Sequence, residues 1–339
     1  MTSESSRPVP PAATGIGSLP GEDLPEAVRQ SFGLLGERPG VPYLPELPQR
    51  GVGADLAGRG AALLVDLYAE VQPSGWRLVG SPGRDSRRAL GFLHEDMDVL
   101  EELTQGYVGP LKVQAAGPWT LAATIELHYG DRMLADPGAC RDLVASLAQG
   151  LALHLAEIQK RVPGAELILQ LDEPALPGVL KGTVPTASGF GRLRTVQEAT
   201  ARDALRTVID AAEVPVVVHC CAPDYPFELI RSAGASGFSF DWSLPGTSTD
   251  DVLAESIEAG ILLYAGVVPS TDPVTKVAPA WRDTLDSLLG LRRLGFSAAR
   301  LAQSLVVTPS CGLAGASPAW ARRAQQLCME TASALAETE

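Results

Sequence analysis

The sequence predicts an α/β protein: a single (β/α)8 barrel, the TIM barrel, preceded by an N-terminal extension. Three observations carry that expectation. Short apolar runs rich in β-branched residues alternate with helical patterns along most of the chain, the signature of repeated βα units and a parallel sheet. About eight such runs can be counted, the number that closes a barrel of this kind. The length of 339 residues suits one barrel of roughly 250 residues with extensions.

The elements follow in order. Residues 1–13, MTSESSRPVPPAA, are rich in Ser and Pro and read as a disordered tail, which leaves residues 14–339 for the barrel. The strand candidates are GIGSLP (15–20), a weak GWRLVG (75–80), KVQAAGP (112–118) and ELILQLDEP (166–174). They continue with VPVVVHC (214–220), GFSFDW (237–242), ILLYAGVV (261–268) and SLVVTPSCG (304–312). Leu143, Leu147, Leu151, Leu155, Ile158 and Val162 recur at helical steps until Pro163 and Gly164 stop the pattern. Thr195 and Glu198 have capping-box spacing ahead of the stripe Leu205, Val208 and Ile209. Ser317 and Pro318 read as the N-cap and first residue of a final helix that turns Leu327 and Leu335 inward. Residues 33–60, rich in Gly and Pro, are the one long irregular stretch, expected to cover an end of the barrel.

Charge and cysteine usage narrow the function classes. A formal charge of −13 disfavours a nucleic-acid surface or an anionic lipid as partner. No apolar run reaches the roughly 18 residues of a membrane span, and the opening lacks the layout of an export signal, so a cytoplasmic protein is expected. Five cysteines in such a chain argue against a disulfide framework and leave thiols available as ligands. Of these, Cys140 and Cys328 fall in helical patterns and read as packed thiols, while His94, His128 and His154 are isolated.

The remaining reactive residues cluster at strand ends, where a parallel barrel collects its active site. In an extended strand, residues two apart share a face, so His219 and Cys221 can meet on one ion while Cys220 points toward the helices. Cys311 and Asp241 end other strand runs and can reach the same mouth. Imidazole, two thiolates and a carboxylate make a tetrahedral zinc set; the plainer reading of the cysteines is small apolar packing. Asp172 and Glu173 point to opposite sides if their strand stays extended, so one reaches the mouth and the other braces a neighbouring loop. GIGS (15–18) offers backbone that can approach a ligand closely.

Taken in order, these motifs resemble the catalytic half of the cobalamin-independent methionine synthase family, within the superfamily that includes uroporphyrinogen decarboxylase. GIGSLP is similar to that family's first-strand IGS motif, AAGPWT to its GPxT turn, and LQLDEPAL to its IDEPAL segment. HCC is similar to its His-x-Cys pair and PSCGL to its terminal CGL, so that the likeness spans about residues 14–335. The resemblance implies zinc on His219, Cys221 and Cys311, with Asp241 where the family has a glutamate. It implies that Gly17 and Ser18 touch the homocysteine carboxylate and Asp172 its ammonium, with Glu173 and Trp119 as further substrate contacts. Two departures bear on the methyl donor. The family's first barrel, which helps hold folate, has no counterpart here, and no histidine lies between residues 220 and 339 where the family has a catalytic one. Asp272 or water is expected as the acid in its place. The expected activity is zinc-dependent methyl transfer to homocysteine or a related small thiol. The expected donor is a methyl-corrinoid, free or on a carrier protein, or methyltetrahydrofolate. The alternatives are a metal-free decarboxylase of the uroporphyrinogen type and a barrel that binds zinc or a thiol without catalysis.

Overall fold

Seven parallel strands are hydrogen-bonded side by side in a curled sheet. In chain order the strands of the molecule are β1 (Ala12–Ala13), β2 (Tyr68–Gln72), β3 (Gly75–Val79), β4 (Gly109–Ala116) and β5 (Ala165–Asp172). They end with β6 (Val216–Cys220), β7 (Gly237–Asp241), β8 (Leu262–Val268) and β9 (Leu305–Pro309). The parallel sheet runs β1-β9-β8-β7-β6-β5-β4, whereas β2 and β3 form a separate antiparallel pair. This computed structural model describes residues 10–244, 249–274 and 279–338; most of the expected tail, residues 1–9, lies outside the described residues.

The gap between β1 and β4 is bridged by residues 40–44. Ala13 donates to Pro39 O at 2.8 Å and Val41 donates back to Ala13 O at 2.8 Å, while Lys112 donates to Pro42 O at 2.9 Å and Leu44 to Lys112 O at 3.1 Å. Both sets are parallel bridges, so this segment takes the second position and completes the barrel. The expectation differed here. GWRLVG, read as the second strand, is β3 of the outlying hairpin, and the stretch read as irregular supplies the closing segment. Likewise β1 begins before GIGSLP, which forms the turn at its carboxyl end.

Helices flank the strands: α1 (Leu24–Leu35), α2 (Leu56–Leu63), α3 (Arg84–Leu103), α4 (Pro118–Thr124), α5 (Pro137–Arg161) and α6 (Leu176–Lys181). The second half adds α7 (Glu198–Ala212), α8 (Phe227–Ser232), α9 (Asp250–Glu258), α10 (Trp281–Leu289), α11 (Ala298–Ala302) and α12 (Pro318–Ala336). The Leu143–Ile158 stripe is the buried face of α5, and α12 starts at the expected Ser317 cap, whose oxygen accepts from Trp320 N at 3.1 Å. The capping box expected at Thr195 does not form; α7 starts at Glu198 behind Gln197, without a side-chain cap. No described helix is long and apolar enough to cross a membrane.

Strand alternation divides the apolar residues into two cores. A small cluster of Ala12, Val41, Ile168, Val217, Leu262, Tyr264 and Val306 takes one residue or two from β1, the 40–44 segment, β5, β6, β8 and β9 and lies in the barrel interior. The larger core joins the opposite strand faces to the helices. Two residues further along the inward faces of β1, β5, β6 and β9, at Thr14, Gln170, His219 and Thr308, the interior turns polar. That change of chemistry marks the site.

Candidate active site

From Ile168 the inward face of β5 continues through Gln170 to Asp172, and from Val217 the face of β6 continues to His219. Parallel register then sets Asp172 beside His219 and His219 beside Ser239. Ser239 Oγ lies 2.9 Å from His219 Nδ1, which fixes the ring. Nε2 is left buried without a hydrogen-bond partner. Cys221, just past β6, and Cys311, just past β9, bring their sulfurs within 2.8 Å of each other. One ligand atom from each of His219, Cys221 and Cys311 lies within 4.8 Å of the others.

This group fits a zinc ion on two counts. A buried imidazole nitrogen without a partner is costly unless something accepts its lone pair, and a metal does. The sulfur pair shares a hydrogen bond that pulls Cys311 well below the ordinary thiol range, with help from His219 and against burial, while Cys221 is pushed well above it. One thiolate is thus already favoured. A neutral imidazole braced at its other nitrogen and two sulfurs form a borderline-soft donor set suited to zinc.

Cys220 lies toward the helices as alternation implies, and the expected fourth ligand and acid, Asp241 and Asp272, lie outside the group. Cys220 is fully buried in the core between sheet and helices, and burial pushes its thiol up to about 12. Asp241 is not in the donor group: its Oδ1 accepts from Ser243 N at 2.9 Å and Ser243 Oγ at 2.7 Å, a local turn that satisfies a short carboxylate. Asp272 accepts from Ser317 N at 2.7 Å and Ser317 Oγ at 2.6 Å, and these bonds hold it below the usual carboxylate range. A carboxylate so held is a poor proton donor.

The two neighbouring carboxylates divide as alternation requires. Asp172 is 8% exposed and takes a 2.7 Å hydrogen bond from Gln170 Nε2; burial pushes it up to about 7 against the pull of His219. Glu173 faces away. It caps α4 from a distance, accepting from Trp119 N at 2.9 Å, Thr120 N at 2.8 Å and Thr120 Oγ1 at 2.7 Å. Gly117 permits this approach, since a Cβ there would lie 2.4 Å from Glu173 Oε1. Trp119 is packed rather than presented: its ring is buried and Nε1 donates to Ala201 O at 3.0 Å. Gly17 and Ser18 stand at the carboxyl end of β1 against the turn after Cys311, where a Cβ on Gly312 would lie 2.1 Å from Ser18 Oγ.

Sequence reasoning missed the polar side chains beneath the site. Lys112 is fully buried, with Nζ 2.8 Å from Ile16 O and 3.2 Å from Gln114 Oε1, and burial pushes it down to about 7 against the pull of Asp172 and Glu46. Gln170 Nε2 reaches the same Ile16 O at 2.8 Å, while its Oε1, like Thr308 Oγ1, is buried without a partner. The available signal was the alternation in KVQAA, which sets Lys112 and Gln114 on one face of a strand with apolar neighbours.

The family profile described as "Cobalamin-independent synthase, Catalytic domain" matches residues 11–334. No curated protein sequence matches. Among solved structures, a B12-independent methionine synthase from a Shewanella species, in complex with selenomethionine, is similar over 97% of this chain and 98% of its own, with a TM-score of 0.59 and 15% identity. A putative sugar phosphate isomerase/epimerase from Anabaena variabilis is similar over 77% of this chain and 85% of its own, with a TM-score of 0.41 and 14% identity. At such identities the first of these likenesses concerns the fold.

Proposed function

The chain belongs to the cobalamin-independent synthase catalytic-domain family, and from that membership we propose that it methylates the thiol of homocysteine or of a closely related amino acid. The observation that carries this reading is the convergence of His219, Cys221 and Cys311 beside Asp172 at one end of a barrel. The three residues would hold a zinc ion, which keeps an incoming thiol of ordinary pKa about 8.5 as the thiolate at neutral pH. The other tasks fall to the chain itself. Ser239 fixes the imidazole. Asp172 accepts hydrogen bonds from the substrate ammonium, and the backbone N–H groups of Gly17 and Ser18 donate to its carboxylate. With both ends of the amino acid held, the sulfur attacks the methyl carbon in line, and the carbon–donor bond breaks with its electron pair leaving on the donor. We read the chain from Ala12 onward as one catalytic barrel, two residues more than the expected 14–339 because Ala12 and Ala13 form β1, and as acting in the cytoplasm, where thiols stay reduced.

The donor is a methyl-corrinoid, free or on a carrier protein, or methyltetrahydrofolate. A folate nitrogen leaves readily only when protonated. No histidine follows His219, and Asp272 is engaged at Ser317. A methyl–cobalt bond needs no such proton, which favours a corrinoid as co-substrate.

Protein purified without chelator is expected to hold one zinc per chain and to form a thioether from homocysteine. Asp172→Asn should keep its zinc and bind homocysteine about a hundredfold more weakly, because a buried ammonium loses its counter-charge. Unchanged affinity in that variant removes Asp172 from the reading. Protein without zinc that decarboxylates a tetrapyrrole identifies the decarboxylase alternative, and zinc without turnover on either donor identifies a binding barrel.

A further inference from the structure

We infer that Lys112 and Gln170 are positioning residues that turn the backbone of Ile16, Gly17 and Ser18 into a receptor for the carboxylate of the amino-acid substrate. The inference rests on the methyl-transfer reading and extends it to two residues beneath the site. The turn after β1 is asymmetric in its hydrogen bonding. Its carbonyls are all engaged: Ile16 O by Lys112 Nζ and Gln170 Nε2, each at 2.8 Å, Gly17 O by Glu46 N at 3.1 Å, and Ser18 O by Leu313 N at 2.9 Å. Its N–H groups are not. Among the described residues, no protein acceptor meets the N–H of Gly17 or Ser18, although Gly17 is buried. Adjacent unsatisfied donors on buried backbone form an anion-binding concavity.

Lys112 cannot serve as a direct ligand because its surface is entirely covered. It acts through one peptide unit. The Ile16 carbonyl and the Gly17 N–H belong to the same peptide, so the Lys112 bond on the oxygen, charge-assisted in the protonated amine, polarises the group and strengthens the N–H as a donor on the opposite edge. The cation thus reaches the substrate carboxylate by way of a fixed dipole. Gln170 completes the arrangement, since its amide nitrogen bonds both Ile16 O and Asp172 Oδ1, at 2.8 and 2.7 Å. One side chain therefore sets the spacing between the carboxylate receptor and the carboxyl group assigned to the ammonium. Gly17 has no room for a side chain: a Cβ on it would lie 2.8 Å from the Gln114 side chain, which itself accepts from Lys112.

The test is a ratio of affinities measured on zinc-loaded protein by calorimetric titration. The probes are homocysteine and 3-aminopropane-1-thiol, the same thiol without its carboxylate. Wild type is expected to prefer homocysteine. Lys112→Met should weaken homocysteine binding by about tenfold to a hundredfold, the range of one charged hydrogen bond, and leave 3-aminopropane-1-thiol within about twofold. Gln170→Leu, which keeps the buried cation and so guards against a Lys112 variant that does not fold, should lower the same ratio while weakening both thiols. Zinc content should stay at the wild-type value in both. A wild-type preference that survives in both variants, or an equal loss for both thiols in Lys112→Met, overturns the inference alone. A wild type without preference for the carboxylated thiol overturns the inference together with the amino-acid acceptor in the proposed function.

Discussion

Cys220 and Cys221 are adjacent in sequence and opposite in fate, because the strand period sends one into the aliphatic core and the other to the mouth. Serine at 221 or 311 is therefore expected to empty the metal site, and serine at 220 to leave it filled, as read by metal analysis of the purified variants. Equal loss in all three would sink the alternation argument. Glu173 gives a second prediction at this scale. Burial pushes it up from 4.5 to about 7, against the bonds from Thr120 and Trp119. A carboxyl raised on folding contributes stability that is complete below the unfolded value and disappears as pH climbs through the folded one. The stability of wild type relative to Glu173→Gln, whose amide does not titrate, should thus fall between about pH 5 and about pH 8, by a few kcal/mol at most. Paired thermal denaturation across that range checks it, and a difference independent of pH means that the α4 cap keeps the group ionised.

Elements meet through small residues, and helix propensity misjudges one of them. Gly150 lies inside α5, where alanine ordinarily stabilises by about 1 kcal/mol. Here a Cβ would stand 1.7 Å from the carbonyl oxygen of Leu63 at the end of α2, and backbone cannot yield as a flexible side chain does. Gly150→Ala is expected to destabilise by about 2 to 3 kcal/mol, because overpacking outweighs propensity. Gly33→Ala in α1, where nothing lies within 4 Å, should stabilise by up to about 1 kcal/mol. Urea midpoints of the two variants should move in opposite directions. Helices were legible wherever the apolar stripe was long, as in α5, or the cap unambiguous, as at Ser317. Thr195 fails as a cap because α7 begins two residues later than the motif suggested, behind Gln197.

For the whole molecule, the donor is the sharpest question. Zinc-loaded protein is expected to methylate homocysteine faster from methylcobalamin than from methyltetrahydrofolate, because a folate nitrogen needs a proton to leave, no histidine follows His219, and Asp272 is held ionised by Ser317. Side-by-side rates settle it: faster turnover with folate would mean that water at the mouth does the work of the absent histidine.

Sequence alone determined what is local in the chain: the βα rhythm, the shared face of His219 and Cys221, the reactive residues at strand ends, and the boundaries of the long helices. A period of two or of 3.6 is written in neighbouring residues and needs no partner to be read. Only the tertiary structure decided what depends on partners far along the chain. Residues 40–44 carry a proline and little strand character, yet they close the barrel because two edges, at Ala13 and Lys112, offer them hydrogen bonds. The choice between Asp172 and Glu173 for the interior, left open by alternation, followed from which face of β5 met Ile16 and which met the start of α4. Lys112 took its meaning from a carbonyl 96 positions away. A buried charge is tolerable only where such partners converge, and convergence is a property of the fold.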